Sequence, residues 1–185
     1  TFGGFLALTS WFPTYWKSYF AQEAVAAGFL TALFSILASL VRVAGGKIAD
    51  RLGGERTTAY ALAILLIGAL VMSFSHTFYL SVLAAVTMAV GIGVGNAAIF
   101  KLVPQEVPQA VGGASGWIGG LGAFGGFVFP PILGAIVRAM GASGYAAGFG
   151  LFAVLAALSL GLVQLLKRAR AAETVLAKAA PEGGS

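Results

Sequence analysis

Arg42 sits inside an apolar run, eight residues before Asp50, in the stretch LVRVAGGKIADRLGGER. If Asp50 marks a membrane edge, a helix rising about 1.5 Å per residue carries the Arg42 backbone roughly 12 Å inward, near the middle of a hydrocarbon layer about 30 Å thick. A guanidinium at the centre of a membrane helix costs about 2.5 to 3.5 kcal/mol on insertion scales unless it faces an aqueous cavity or an anion. A long side chain can also snorkel part of the way out, so depth alone leaves two readings of Arg42 open. The same inward count from Pro104 reaches Asn96, and from Val111 it reaches Gly119. Phe2, counted inward from Lys17 at the opposite edge, falls near that level too. A guanidinium fork, an amide donor, an aromatic edge and bare glycine backbone are groups that together could hold a small planar anion.

The elements that must position these residues are membrane helices. Hydrophobic residues make up 59% of the 185-residue chain and charged residues 9%, too few to build a water-facing surface. Six apolar segments, about residues 1–20, 28–49, 57–75, 78–103, 111–137 and 145–166, are each long enough to cross a bilayer. Uninterrupted apolar runs without period-2 alternation exclude a transmembrane barrel, so the expected fold is all-α. Residues 1–170 form one six-helix unit on this reading, and the tail 171–185 frays from helix into disorder. The chain has no cysteine and one histidine, His76, which falls in a turn. No carboxylate lies within a span, so no acid/base pair or metal cluster is evident, and the sequence reads as neither an enzyme nor a cofactor protein. The net charge of +5 collects at segment ends, which fits membrane topology better than nucleic acid. The N-terminal TFGGFLALTS has no basic region and reads as a cut edge rather than a signal peptide.

Basic residues divide unevenly between alternate turns. Lys47, Arg51, Arg56, Lys101, Lys167, Arg168, Arg170 and Lys178 fall on one side, and only Lys17 and Arg138 on the other. The positive-inside bias makes the first side cytoplasmic, with both termini there. Trp11, Tyr15, Trp16 and Tyr19 then read as an aromatic belt at the outer headgroups. The 27 glycines concentrate in GIGVGN and in VGGASGWIGGLGAFGGFVFPP. There Gly112, Gly116, Gly119, Gly120, Gly122, Gly125 and Gly126 lay bare backbone along one helix, suited to close packing or to sliding. Pro130 and Pro131 predict a kink in the same helix.

GGKIADRLGGER resembles the loop motif of the major facilitator superfamily, with Gly46, Asp50, Arg51 and Gly53 in register and Arg56 as the trailing basic residue. Gly54 and Glu55 stand where a further basic residue is usual. The resemblance implies that Asp50 and Arg51, with Gly46 and Gly53, hold one gating state. TFGGFLAL, VRVAGGKIADRLGG, GNAAIFKLVPQ and GWIGGLGAFGGFVFP together resemble the NarK-like nitrate/nitrite porters, in the order of that family's seventh, eighth, tenth and eleventh helices. The implied fold is the C-terminal six-helix half of a twelve-helix transporter built from 3+3 inverted repeats, residing in the plasma membrane. The implied substrate is nitrate or nitrite, bound by Arg42 with Phe2, Asn96, Gly119 and Gly122. Lys101 and Gln105 match the FKLVPQ form, while Gly119, Gly120 and Ala97 depart from the pattern. The first half, with its own arginine, is missing on this reading, whether it belongs to the same longer chain or to a second one. A half-transporter for another small or organic anion and a non-transporting assembly subunit remain alternatives.

Overall fold

The computed structural model describes residues 1–179, with side chains described through Arg168. Among the described residues the chain is all-helical: α1 (Phe2–Tyr19), α2 (Ala24–Leu52), α3 (Gly54–Phe74), α4 (Phe78–Glu106), a 3-10 turn at Pro108–Ala110, α5 (Val111–Met140), α6 (Ser143–Ala147) and α7 (Gly150–Ala179). Long helices follow from the apolar runs, because backbone groups buried in lipid can be satisfied only within the segment. The turns between them are short, so successive long helices run antiparallel. Asp50 and Lys101 therefore mark one end of the bundle, and Lys17, His76 and Arg138 the other.

Five spans are long and apolar enough to cross a membrane: Ala24–Leu52, Gly54–Phe74, Phe78–Glu106, Pro108–Met140 and Ser143–Arg168. The expected first span differs. It forms the 18-residue α1, but its second half carries Thr14, Lys17 and Ser18 and the helix is too polar to count with the other five. The expected last span is also redrawn. It opens with α6, turns at Gly148 and Phe149, and resumes as α7, with Gly148 N–H donating to the Gly144 carbonyl and Phe149 N–H to that of Ala146. Helix α7 is described to Ala179, and residues 180–185 of the expected tail lie outside the described residues. Pro130 and Pro131 lie inside α5, which runs through them as one element.

The aromatic belt is corrected by the core. Trp11, Tyr15 and Trp16 are buried in the bundle rather than turned to headgroups. Phe12 stands edge-on to Phe34 at 4.8 Å, Tyr15 edge-on to Phe149 at 4.9 Å, and Trp16 edge-on to Phe78 at 6.0 Å. Large rings on one face of α1 meet rings from α2, α4 and the turn before α7, and each such pair adds about 0.5 to 1.5 kcal/mol beyond the area it buries. The Tyr15 hydroxyl is satisfied inside this cluster by Ser81 at 3.0 Å, and Ser81 in turn donates to Ser75 at 2.8 Å. The reason is competition for one surface: α1 packs against α2, α4 and α5, so its aromatic face is drawn into packing instead of lipid.

Glycines set the helix spacings. A Cβ on Gly91 would stand 2.7 Å from the Leu65 nitrogen, and one on Gly68 2.9 Å from the Met88 nitrogen, so α3 and α4 touch backbone to backbone. On α5, Gly122, Gly125 and Gly126 pack against Phe2, Gly3 and Leu6 of α1, whereas Gly112, Gly113, Gly116, Gly119 and Gly120 face open space. The glycine stripe thus divides into a packed half and a free half.

Candidate functional site

On α2, Ala38, Ser39 and Arg42 fall on one face, and on α4 Ile92, Gly93 and Asn96 repeat the same spacing. The structure brings these two triplets together and closes the space between them with Phe5 of α1. The pocket has an empty volume of about 230 Å³ with its open mouth included. Its existence depends on Gly93 and Gly45. A Cβ on Gly93 would meet the Ala38 carbonyl and lie 3.2 Å from the Arg42 nitrogen, and one on Gly45 would lie 2.7 Å from the Val94 Cα. Only hydrogen at both positions lets α2 and α4 approach closely enough for their side chains to share a pocket.

Arg42 is exposed on the open side of the bundle, and its guanidinium carbon lies 5.5 Å from the centroid of the Phe100 ring, one turn beyond Asn96 on α4. Such a contact contributes about 0.5 to 2 kcal/mol depending on solvation. The guanidinium has no carboxylate partner among the described residues. It is held in place by a ring face without being neutralised, so its charge stays available to an anion. Asn96 is only 5% exposed, lines the same pocket and makes no hydrogen bond among the described residues. A buried amide with unspent donors beside an unpaired guanidinium can bind an oxyanion.

The other expected contacts separate from this pair. Phe2 packs over Gly122, with its Cδ1 2.8 Å from where a Cβ would stand, and so belongs to the α1–α5 interface. Gly119 lies farther along α5 with nothing within 4 Å of its Cβ position. Phe5, Ser39 and Phe100 had not been singled out, although each lies three or four residues from a residue that had, which is the spacing of one helix face.

At the Asp50 end, α2 stops and α3 starts around a single residue. Gly53 takes φ +85° and donates its N–H to the Ala49 carbonyl at 3.0 Å, a left-handed helix end suited to glycine. Gly54 is buried, and a Cβ there would stand 2.7 Å from the Leu102 side chain. This explains why no basic residue occupies that position: α3 starts in direct contact with α4. Asp50 pairs with Lys101, also on α4. That partner is 51 residues away in sequence, which is why charge patterning along the loop did not identify it. Arg51 lies on an exposed face of α2 with Ala44, Lys47 and Ile48, and Gly46 has no neighbour that would exclude a side chain.

Comparison with known proteins identifies the family. The model of the family described as Major Facilitator Superfamily matches residues 1–184. The chain is 36% identical over 163 residues to the "Nitrite extrusion protein" of Bacillus subtilis, covering 88% of this chain and 41% of that protein. It is 37% identical over 150 residues to the "Probable nitrate/nitrite antiporter NarK1" of Thermus thermophilus, covering 71% of this chain and 34% of that one. It is 31% identical over 173 residues to the "Probable nitrate transporter NarT" of Staphylococcus epidermidis, covering 92% and 44% respectively. The chain therefore spans less than half the length of these relatives. With five apolar helices of membrane length and a family match along nearly its whole length, this multi-pass membrane chain belongs to the major facilitator superfamily, and within it is similar to NarK-like nitrate/nitrite porters.

Proposed function

We propose that the chain forms the C-terminal six-helix half of a plasma-membrane secondary transporter that moves nitrate or nitrite by alternating access, with both termini cytoplasmic. The observation that carries this reading is the unpaired Arg42 guanidinium sharing a pocket with the unbonded Asn96 amide. A monovalent planar oxyanion offers acceptors to both, and the weak hold of the Phe100 ring is readily exceeded by a charge-assisted hydrogen bond. Phe2, Gly119 and Gly122 serve one step away, where α1 and α5 set the width of the cavity. The first half, supplied by the rest of a longer chain or by a second chain, closes the exposed side of the pocket and contributes the other cationic group. Asp50 and Lys101, with Arg51, Gly46 and the Gly53 turn, latch the cytoplasmic ends of α2 and α4 in one of the two states.

Among the described residues no carboxylate lines the pocket, and the simplest coupling this arrangement supports is exchange of one anion for another. Counterflow into proteoliposomes holding the complete transporter tests this. Nitrate uptake should be stimulated by nitrite loaded inside, should ignore an imposed pH gradient, and should be lost in Arg42→Ala. Uptake that persists at wild-type rate in Arg42→Ala would reject the assignment of the site, and uptake driven by pH alone would reject exchange.

A further inference from the structure

The α1–α2 seam that ends at Arg42 holds a second polar pocket at the other end of the bundle. It is lined by Pro13, Thr14, Lys17 and Ser18 of α1 and by Ala24 and Ala27 of α2. Lys17 makes no ion pair or hydrogen bond among the described residues, although Glu23 stands in the adjoining turn. The hydroxyls beside it are also unusual. Ser10, Thr31, Ser35, Ser39, Thr57, Thr58, Ser73 and Thr87 each donate to the carbonyl one turn back, the ordinary state of a membrane-helix hydroxyl. Thr14 and Ser18 do not, and have no hydrogen bond among the described residues. Three donors from one face of α1 therefore converge on one open pocket with no protein acceptor engaged.

Between this pocket and the Arg42 pocket the seam carries polar groups beside the Phe34 ring, which stacks on Phe5 at 6.1 Å. Thr9 and Ser35 share a hydrogen bond across it at 3.2 Å, and Ser39 follows one turn on, already within the Arg42 pocket. Twelve residues separate Lys17 from Phe5 on α1, which at about 1.5 Å per residue is roughly 18 Å. These polar groups are part of why α1 does not count with the five apolar spans.

We infer that Lys17, Thr14 and Ser18 form an outer oxyanion-recognition site, which captures small monovalent anions at the end opposite Asp50 and passes them along the α1–α2 seam to Arg42. The inference rests on the transport reading above. An ammonium at the mouth raises the local anion concentration, and two free hydroxyls hold the ion without the charge that would trap it. Binding there is weak and fast by construction, whereas Arg42 sits deeper in the bundle beside the buried Asn96 amide.

Transport from the two sides of the membrane distinguishes this from a lysine that merely anchors headgroups. In the complete transporter, Lys17→Gln should raise KM for nitrate or nitrite about 3- to 10-fold when the anion is offered from the Lys17 side, with little change from the Asp50 side, and should flatten the dependence of uptake on ionic strength. Thr14→Val with Ser18→Ala should shift KM in the same sidedness by a smaller factor while leaving the salt dependence intact. An unchanged KM from the Lys17 side in both variants, or an equal change from both sides, overturns the site. Arg42→Ala separates the two claims: if it abolishes transport while Lys17→Gln behaves as wild type, the outer site fails and the transport reading stands. If Arg42→Ala transports normally, the transport reading itself fails.

Discussion

Gly93 faces Arg42 across the α2–α4 interface, so close that an added Cβ would stand 3.2 Å from the Arg42 nitrogen and against the Ala38 carbonyl. The arginine is thereby fixed in depth and direction by a residue with no side chain. Gly93→Ala should destabilise the detergent-solubilised protein by about 1 to 3 kcal/mol through overpacking and weaken anion binding as well. Gly28→Ala, with nothing within 4 Å of its Cβ position, is the matched control and should leave the melting temperature unchanged or slightly raised. Thermal unfolding of the two variants side by side checks the pair.

Arg42 should not tolerate lysine. A guanidinium presents a planar fork and an ammonium a point charge, so Arg42→Lys keeps the charge but not the geometry. Anion affinity measured by titration should fall at least about 10-fold, equivalent to ~1.4 kcal/mol. Phe100→Leu removes the ring that holds the guanidinium 5.5 Å away and should weaken affinity by a smaller factor, about 2- to 5-fold, consistent with ~0.5 to 1 kcal/mol of lost cation–π contact.

The Asp50–Lys101 pair should matter to rate more than to stability. Asp50 has 67% of its side chain exposed, and a solvent-screened ion pair contributes about 0 to 1 kcal/mol to folding. Asp50→Asn should hardly move the melting temperature yet lower the transport rate if the pair latches one state. The exchanged double variant Asp50→Lys with Lys101→Asp should recover part of the lost rate, and raised salt should narrow the difference between wild type and Asp50→Asn.

Two tryptophans should respond in opposite ways. Trp16 is 1% exposed in the aromatic core and Trp117 is 71% exposed on the free half of α5. Trp16→Ala should cost about 3 to 5 kcal/mol or prevent folding, as expected for a large buried ring. Trp117→Phe should be neutral for folding. In a background with Trp11→Phe and Trp16→Phe, quenching of the Trp117 indole by a soluble quencher should diminish when the proposed first half is joined.

Much of this protein was legible in its residues taken one at a time. Apolar runs of membrane length dictate helices because unsatisfied backbone has no place in lipid, and the depth of Arg42 singles it out as a candidate anion ligand. Helical spacing placed Arg42 and Asn96 at one depth, and the motif around Asp50 identified the turn. What the chain alone left open were relations between helices. Whether Arg42 and Asn96 face each other depends on the rotation of α2 against α4, which hydrogen atoms at Gly45 and Gly93 allow and no local period encodes. The same limit turned Tyr15 and Trp16 from a headgroup belt into core, because their partners Phe149 and Phe78 lie far away in sequence. It also hid Lys101 as the partner of Asp50, and it separated Phe2 and Gly119 from a pocket they matched only in depth. A residue's depth is a property of its own helix, readable by counting. Its neighbours are a property of packing between helices, decided only once the whole bundle is assembled.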